Sequence, residues 1–205
     1  MGMMDSTDAV LIARTLEGDE QAFAELVRRY QAAVWGTVHR LLGNSSEGSD
    51  AVQETFLRAF SALGKFDPRY PFGPWILRIA TNYCIDQLRK RKSLKTQLWS
   101  ELSEPDQERL LRDFSSDSGR ESVRGGVMEG YVEIAKTLLN GLNPKYRAAF
   151  VLREVEERGY DEVAKILGTS EITARVRVSR ARSELQKKFA AWSASRSKGG
   201  IAKNE

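Results

Sequence analysis

The chain has 205 residues, and 41% of them are hydrophobic, so it can bury one large core or two small ones. Its 32 basic and 28 acidic residues leave a net charge of only +4, so the placement of charge matters more than the sum. One cysteine and one histidine exclude an internal disulfide and a clustered zinc site, and no apolar run approaches the roughly 20 residues of a membrane span. Since the N-terminus also lacks a basic-then-apolar signal, we expect a reduced, cytoplasmic protein without membrane insertion.

Helical periodicity dominates residues 8–92. Apolar residues recur every three or four positions in a short first helix, in a longer second helix capped by Asp19, and in a third helix over about residues 49–63. Pro74 suits the first turn of a fourth helix that runs to about Lys92. The pattern predicts an all-helical N-terminal domain, with Phe60 of the third helix facing inward.

An aromatic loop precedes the fourth helix, and one face of that helix is polar and basic. The rings are Phe66, Tyr70, Phe72 and Trp75, and the polar face comprises Arg78, Asn82, Asp86 and Arg89. Exposed rings beside a basic face are typical of sites that hold an unpaired nucleic-acid strand, because bases stack on the rings and phosphates meet the cations. The alternative is that the rings, Trp75 in particular, pack in the core.

The composition changes twice in the second half of the chain. Residues 93–126 are acidic and rich in Ser and Gly, which predicts a linker with at most a transient helix near residues 107–114. Helical periodicity returns over residues 127–192, where Asn143 caps one of the helices. Residues 193–205 are expected to form a disordered tail.

Residues 160–188 predict a helix-turn-helix. The first helix ends at Gly168, which can adopt the left-handed conformation, and Ser170 caps the second helix. An apolar stripe of Ala174, Val178, Ala181 and Leu185 faces inward, while arginines lie outward as a DNA-reading helix requires. The alternative is an ordinary helical hairpin with a solvated basic face.

Several motifs, in this order, resemble those of bacterial RNA polymerase sigma factors of the extracytoplasmic-function group. Similar to the family's second domain are Asp50-x-Val52-Gln53-Glu54-x-Phe56, Phe72-x-x-Trp75-x-x-Arg78-Ile79-Ala80-x-Asn82 and Ile85-Asp86-Gln87-Leu88-Arg89. Similar to its fourth domain are Leu142-Asn143-Pro144-Lys145-Tyr146-Arg147, Gly159-Tyr160-Asp161-Glu162-Val163-Ala164 and Ser170-x-x-Thr173-x-Arg175-x-Arg177-x-x-Arg180-Ala181-Arg182.

The resemblance implies an all-α fold with two helical domains joined by a flexible linker, the C-terminal one a helix-turn-helix. Residues 8–92 would be sigma region 2 and residues 127–192 sigma region 4. The implied contacts with the clamp helices of the largest subunit of core RNA polymerase are Asp50, Gln53 and Glu54. Those with the minus-ten promoter element are Phe72, Trp75, Arg78, Asn82, Asp86 and Arg89. Those with the minus-thirty-five element are Ser170, Glu171, Thr173, Arg175, Arg177, Arg180 and Arg182.

The same resemblance implies promoter DNA and an anti-sigma factor as partners. No phosphate loop, nucleophile elbow or acid–base pair is evident, so we expect no enzymatic activity, metal or cofactor. Ala174 and Val176 depart from the residues usual in the family, and an outward Val176 would suit a thymine methyl. The alternatives are a regulator that binds duplex DNA without joining polymerase, and a helical adaptor whose basic faces are merely solvated.

Overall fold

The computed structural model describes residues 7–43, 46–101 and 127–199, and every regular element in this part of the chain is helical. A 3-10 turn at Leu63–Lys65 follows the third helix, and a π-helical turn at Val151–Val155 follows the sixth. The α-helices are α1 (Asp8–Leu16), α2 (Glu20–Leu42), α3 (Ser46–Ala62), α4 (Phe72–Glu101), α5 (Val127–Asn140), α6 (Pro144–Phe150), α7 (Tyr160–Leu167) and α8 (Glu171–Gly199).

Contacts between the described residues divide this part of the chain into two compact units. The first contains the described residues up to 87 together with 148–178, and the second contains those of 88–147 together with 179–199. In the first unit, Leu26, Val34 and Val38 of α2 have no exposed surface. Ala59 of α3 and Ile76 and Ala80 of α4 are equally buried. The apolar stripes of these amphipathic helices therefore supply the hydrophobic stabilisation of this part of the fold.

Side-chain caps fix where two helices of the first unit begin. The Asp19 carboxylate accepts hydrogen bonds from the backbone N–H groups of Gln21 and Ala22 at 2.9 and 3.2 Å, which confirms it as the cap of α2. The hydrogen bond from the Arg14 guanidinium, above all, holds the pKa of Asp19 below its usual value. The Ser170 hydroxyl accepts from the Thr173 N–H at 3.2 Å, as predicted for the start of α8.

In the second unit, Asn143 and Pro144 begin α6 as the sequence predicts. The Asn143 side chain accepts a hydrogen bond from the Lys145 N–H at 3.0 Å. Leu142 is 3% exposed and Ala181 is fully buried, while the buried Arg147 donates to the Asn140 side chain at 2.5 Å. A helix start and a buried guanidinium that donates to a neighbouring side chain thus lie within a few residues of each other.

Two helices extend beyond their predicted ends. Helix α4 continues to Glu101, nine residues past Lys92, and α8 continues through residues 193–199 of the expected tail. Neither residues 93–101 nor 193–198 contain Pro or Gly, so nothing in the backbone ends these helices. Residues 102–126 of the predicted linker, including the expected transient helix, and residues 200–205 of the predicted tail lie outside the described residues.

Candidate nucleic-acid and polymerase interfaces

Helix α3 presents polar side chains beside an apolar groove. Asp50 and Gln53 are exposed, whereas Glu54 is half-buried and accepts a hydrogen bond from the Arg58 side chain at 2.7 Å. The groove has a volume of about 470 Å³. Its lining residues, from α2 and α3, are Glu20, Phe23, Val27, Gln53, Phe56, Leu57 and Phe60.

The expectation that Phe60 faces inward is wrong. Its side chain is 53% exposed and packs edge-on against Phe23, with 4.9 Å between ring centroids. Leu57 is 55% exposed, and it lies with Gln53 and Phe60 on one stripe spaced four and three residues apart. From that spacing, sequence reasoning could have predicted that Leu57 and Phe60 lie on the same exposed face of α3 as Gln53.

Several rings of the aromatic loop pack around Phe72 and form a small core. Phe72 is 2% exposed, and its ring lies 5.1 Å from Tyr30, 5.7 Å from Phe66 and 5.3 Å from Trp75, measured between centroids. Phe72, which is expected to contact minus-ten DNA, is thus enclosed by three other rings in this structure, and that contact stays a prediction. The place of Phe72 at the start of α4 anchors the helix and supports the half-buried Trp75.

Exposed groups remain around this core. Tyr70 is 66% exposed, which makes it the ring of this loop most accessible to a stacking base. Asp67 and Arg69 form an ion pair at 2.6 Å that orders the turn before Tyr70. The hydrogen bond from Arg69 holds the pKa of Asp67 below its usual value.

The polar face of α4 has the arrangement that its sequence indicates. At about 100° per residue, its four polar residues fall within an arc of about 80°, each about one turn from the next. All four are exposed: Arg78, Asn82, Asp86 and Arg89. On the opposite side of the helix, Ala80 and Cys84 are fully buried. The structure thus brings the predicted polar residues onto one accessible surface.

The turn between α7 and α8 has the geometry of a helix-turn-helix. Gly168 adopts φ 58° and ψ 47°, the left-handed conformation predicted for it. Val163 and Ile166 of α7 and Ala174 and Val178 of α8 are fully buried. Small Ala174 at this position permits close packing of the two helices, which leaves the opposite side of α8 accessible.

Several polar residues at the leading end of α8 bond to one another. The Ser170 and Thr173 hydroxyl oxygens lie 2.9 Å apart. The Arg175 guanidinium donates to Glu171 at 2.6 Å and lies over the Tyr160 ring, 4.2 Å from its centroid. Arg175 is therefore held by its own protein. The four-residue spacing from Glu171 could have indicated the ion pair, whereas sequence spacing does not reveal the contact with Tyr160.

The remaining predicted arginines of α8 differ in exposure. Arg180 is exposed and donates to the Tyr146 hydroxyl at 2.9 Å, and this hydrogen bond raises the pKa of Arg180 above its usual value. Arg182 is exposed, whereas Arg177 is half-buried. Positive charge thus lies on more than one side of the helix.

Two apolar residues complete this surface, and sequence reasoning missed one of them. Ile172 is 75% exposed and Val176 is 43% exposed, one helical turn apart. Helical spacing is the signal that could have identified Ile172, because the fully buried Ala174, Val178 and Ala181 define the inward stripe and Ile172 lies on the opposite side of the helix.

Neither a metal cluster nor a membrane span occurs in the described residues. Residues 7–43, 46–101 and 127–199 bring together no group of three His, Cys, Asp or Glu able to hold a metal ion. Within the same ranges, none of the helices combines the length and apolar character needed to cross a membrane.

The sequence matches two family descriptions, one in each half of the chain. "Sigma-70 region 2" matches residues 26–94, and "Sigma-70, region 4" matches residues 133–185. The ECF RNA polymerase sigma factor SigW of Bacillus subtilis is 31% identical over 178 residues. That alignment covers 87% of this chain and 94% of SigW.

Solved structures share the fold. CnrH, in complex with the cytosolic domain of CnrY, has a TM-score of 0.59 at 26% identity, covering 90% of this chain and 97% of CnrH. The sigma factor RpoE from Bartonella quintana, in complex with the anti-sigma factor NepR, has a TM-score of 0.52 at 20% identity, covering 82% and 96%. Because both sigma-70 descriptions match and the alignment with SigW covers nearly the whole of that protein, the chain belongs to the extracytoplasmic-function family of RNA polymerase sigma factors.

Proposed function

We propose that this sigma factor binds core RNA polymerase through α3, reads the unpaired minus-ten strand with α4 and reads the minus-thirty-five duplex with α8. The observation that carries the proposal is the presence of all three surfaces on one chain of this family. Residues 8–92 act as region 2 and residues 127–192 as region 4. Sigma factors are initiation factors, and we assign this chain no enzymatic, metal or cofactor chemistry. We place its action in the cytoplasm.

The polymerase interface combines the polar residues of α3 with its apolar groove. Asp50, Gln53 and Glu54 face the clamp helices of the largest subunit, where they contribute orientation and association rate more than affinity. Leu57 and Phe60 supply the apolar centre, since half-exposed aromatic and aliphatic side chains become energetically dominant when a partner buries them. Polar residues beside an apolar centre form the usual anatomy of a protein–protein interface.

The minus-ten interface lies along α4. Asn82 has donors and an acceptor for the edge of an extruded base, while Arg78 and Arg89 are suited to phosphates. Asp86 shares this face and Trp75 borders it. Tyr70, rather than the buried Phe72, is the ring we assign to stacking.

The minus-thirty-five interface lies at the leading end of α8, because recognition helices place their N-terminal residues against base edges in the major groove. Ser170, Glu171 and Thr173 shape this end. Arg177, Arg180 and Arg182 are assigned to phosphates or base edges, and Arg175 acts mainly by holding Tyr160 and Glu171.

An anti-sigma factor is the further partner that we propose. The supporting observation is the similarity in fold to RpoE, which was solved in complex with the anti-sigma factor NepR. The partner would act by covering one or more of the three surfaces described above. Where the partner covers α3, its binding and that of core polymerase are expected to be mutually exclusive.

The proposal is tested by comparing promoter binding of the full chain with and without core RNA polymerase. We expect weak binding by the chain alone and stable, sequence-selective binding once polymerase is present. A duplex-binding regulator would instead bind tightly by itself, with an affinity that falls steeply as salt rises. That result, without any contribution from polymerase, would refute the proposal.

A further inference from the structure

The DNA-facing side of α8 has an apolar centre. Ile172 is the second residue of the helix and, at 75%, the most exposed of the large hydrophobic residues described. Val176, 43% exposed, lies one turn further on. At about 100° per residue, Ile172 lies about 160° around the helix from the fully buried Ala174. The pair therefore points away from the protein core.

Nearby polar groups are engaged within the protein. Glu171 accepts the hydrogen bond from Arg175, and the Ser170 and Thr173 hydroxyls lie 2.9 Å apart. Consequently the first turn and a half of α8 offers two aliphatic side chains where base contacts are expected from the docking of a recognition helix. An exposed isoleucine at this position gains little stability for the free protein, since water surrounds most of it.

The charges of α8 indicate which partner covers the pair. Arg177, Arg180 and Arg182 lie on the same helix within ten residues of Ile172, which favours a polyanionic partner over an apolar protein surface. In the major groove of duplex DNA the apolar group is the C5 methyl of thymine. A side chain at this place can therefore distinguish thymine from cytosine without a hydrogen bond.

We propose that Ile172 and Val176 read the methyl groups of neighbouring thymines in the minus-thirty-five element. This inference rests on the proposed function of α8 and adds a specificity that arginine contacts do not provide. Ile172 occupies the leading position, and Val176 contacts the thymine methyl one step along the groove. Promoters of this sigma factor accordingly carry thymines at these positions.

The test uses the holoenzyme, reconstituted from the full chain and core RNA polymerase. The preferred minus-thirty-five element is first selected from a promoter library randomised there. Each thymine of that element is then replaced by deoxyuridine, which removes only the methyl group. We expect about fourfold weaker binding at each contacted position, the factor that corresponds to burial of one methyl-sized group.

Variants assign the contacts to residues. Ile172→Ala should bind thymine and deoxyuridine equally at one position, and Val176→Ala should do so at its neighbour. Val132→Ala is the matched control, because Val132 is a 46% exposed apolar residue on α5, and it should retain the full discrimination. Thermal melts of the three variants should stay close to that of the wild type, since each altered side chain is substantially exposed.

Equal wild-type binding to thymine and deoxyuridine at every position, with the selected sequence still preferred, overturns the methyl-reading inference and leaves the proposed function intact. Loss of binding by Ile172→Ala that is the same on every sequence also overturns it, because it indicates a contact with polymerase or another protein. A holoenzyme that shows no preference at all in the minus-thirty-five region overturns both the inference and the assignment of α8.

Discussion

Arg175 separates two accounts of the helix-turn-helix, a guanidinium that contacts DNA and one that holds the motif together. Its hydrogen bond to Glu171 is an exposed pair four residues apart, which contributes about 0.3–0.5 kcal/mol. Its position 4.2 Å from the Tyr160 ring centroid adds about 0.5–1 kcal/mol. We therefore expect Arg175→Ala to lower the free energy of unfolding by about 1 kcal/mol, measured by urea denaturation of the full chain.

The same variant should leave the salt dependence of promoter binding by the holoenzyme unchanged. Tyr160→Leu provides the comparison, because it removes the ring without changing the charge. In a double-mutant cycle the two substitutions should be less than additive. A salt slope reduced by about one, with unchanged stability, would show instead that Arg175 contacts a phosphate and would refute this reasoning.

Three further predictions concern the other surfaces. Phe60→Ala should weaken binding to core polymerase by about 1–2 kcal/mol in a titration. Phe189→Ala, which alters a similarly exposed ring, should not weaken it. Equal effects of the two substitutions would show that the groove is not part of the interface. Asn82→Ala should impair promoter opening, followed by permanganate reactivity of unpaired thymines, more than duplex engagement; equal loss of both contradicts its role. Gly168→Ala should destabilise the chain by about 1–2 kcal/mol in urea denaturation, because a Cβ is disfavoured at φ 58°. Gly64→Ala is the control and should have little effect. Unchanged stability in Gly168→Ala would argue against strain at the turn.

Local signals in the sequence predicted the local structure well. Asp19, Asn143 and Ser170 cap helices as expected, because a cap depends on a side chain and the backbone N–H groups two or three residues away. Gly168 was equally predictable, since the turn needs a left-handed residue. Such features are decided within a few residues and need no knowledge of tertiary packing.

Features that depend on tertiary packing were harder to predict. Periodicity places Phe56 and Phe60 on similar stripes, yet Phe56 is 9% exposed and Phe60 is 53% exposed. Phe72 looked like a ring on a loop, but Tyr30, from a distant part of the sequence, covers it. A hydrophobic pattern identifies an apolar face without saying whether the protein itself or a partner buries it. The extended ends of α4 and α8 show likewise that polar composition alone does not end a helix.

Binding of the full chain to core RNA polymerase tests the central claim most directly. The wild type should form a stable complex in a pull-down. A variant with Asp50, Gln53 and Glu54 all changed to Ala should lose it, while a melt shows that the variant remains folded. Binding that survives the triple change would keep the chain a polymerase partner and move the interface away from α3. Absence of wild-type binding, together with tight binding of duplex DNA by the chain alone, would contradict the account and favour a regulator that acts without polymerase.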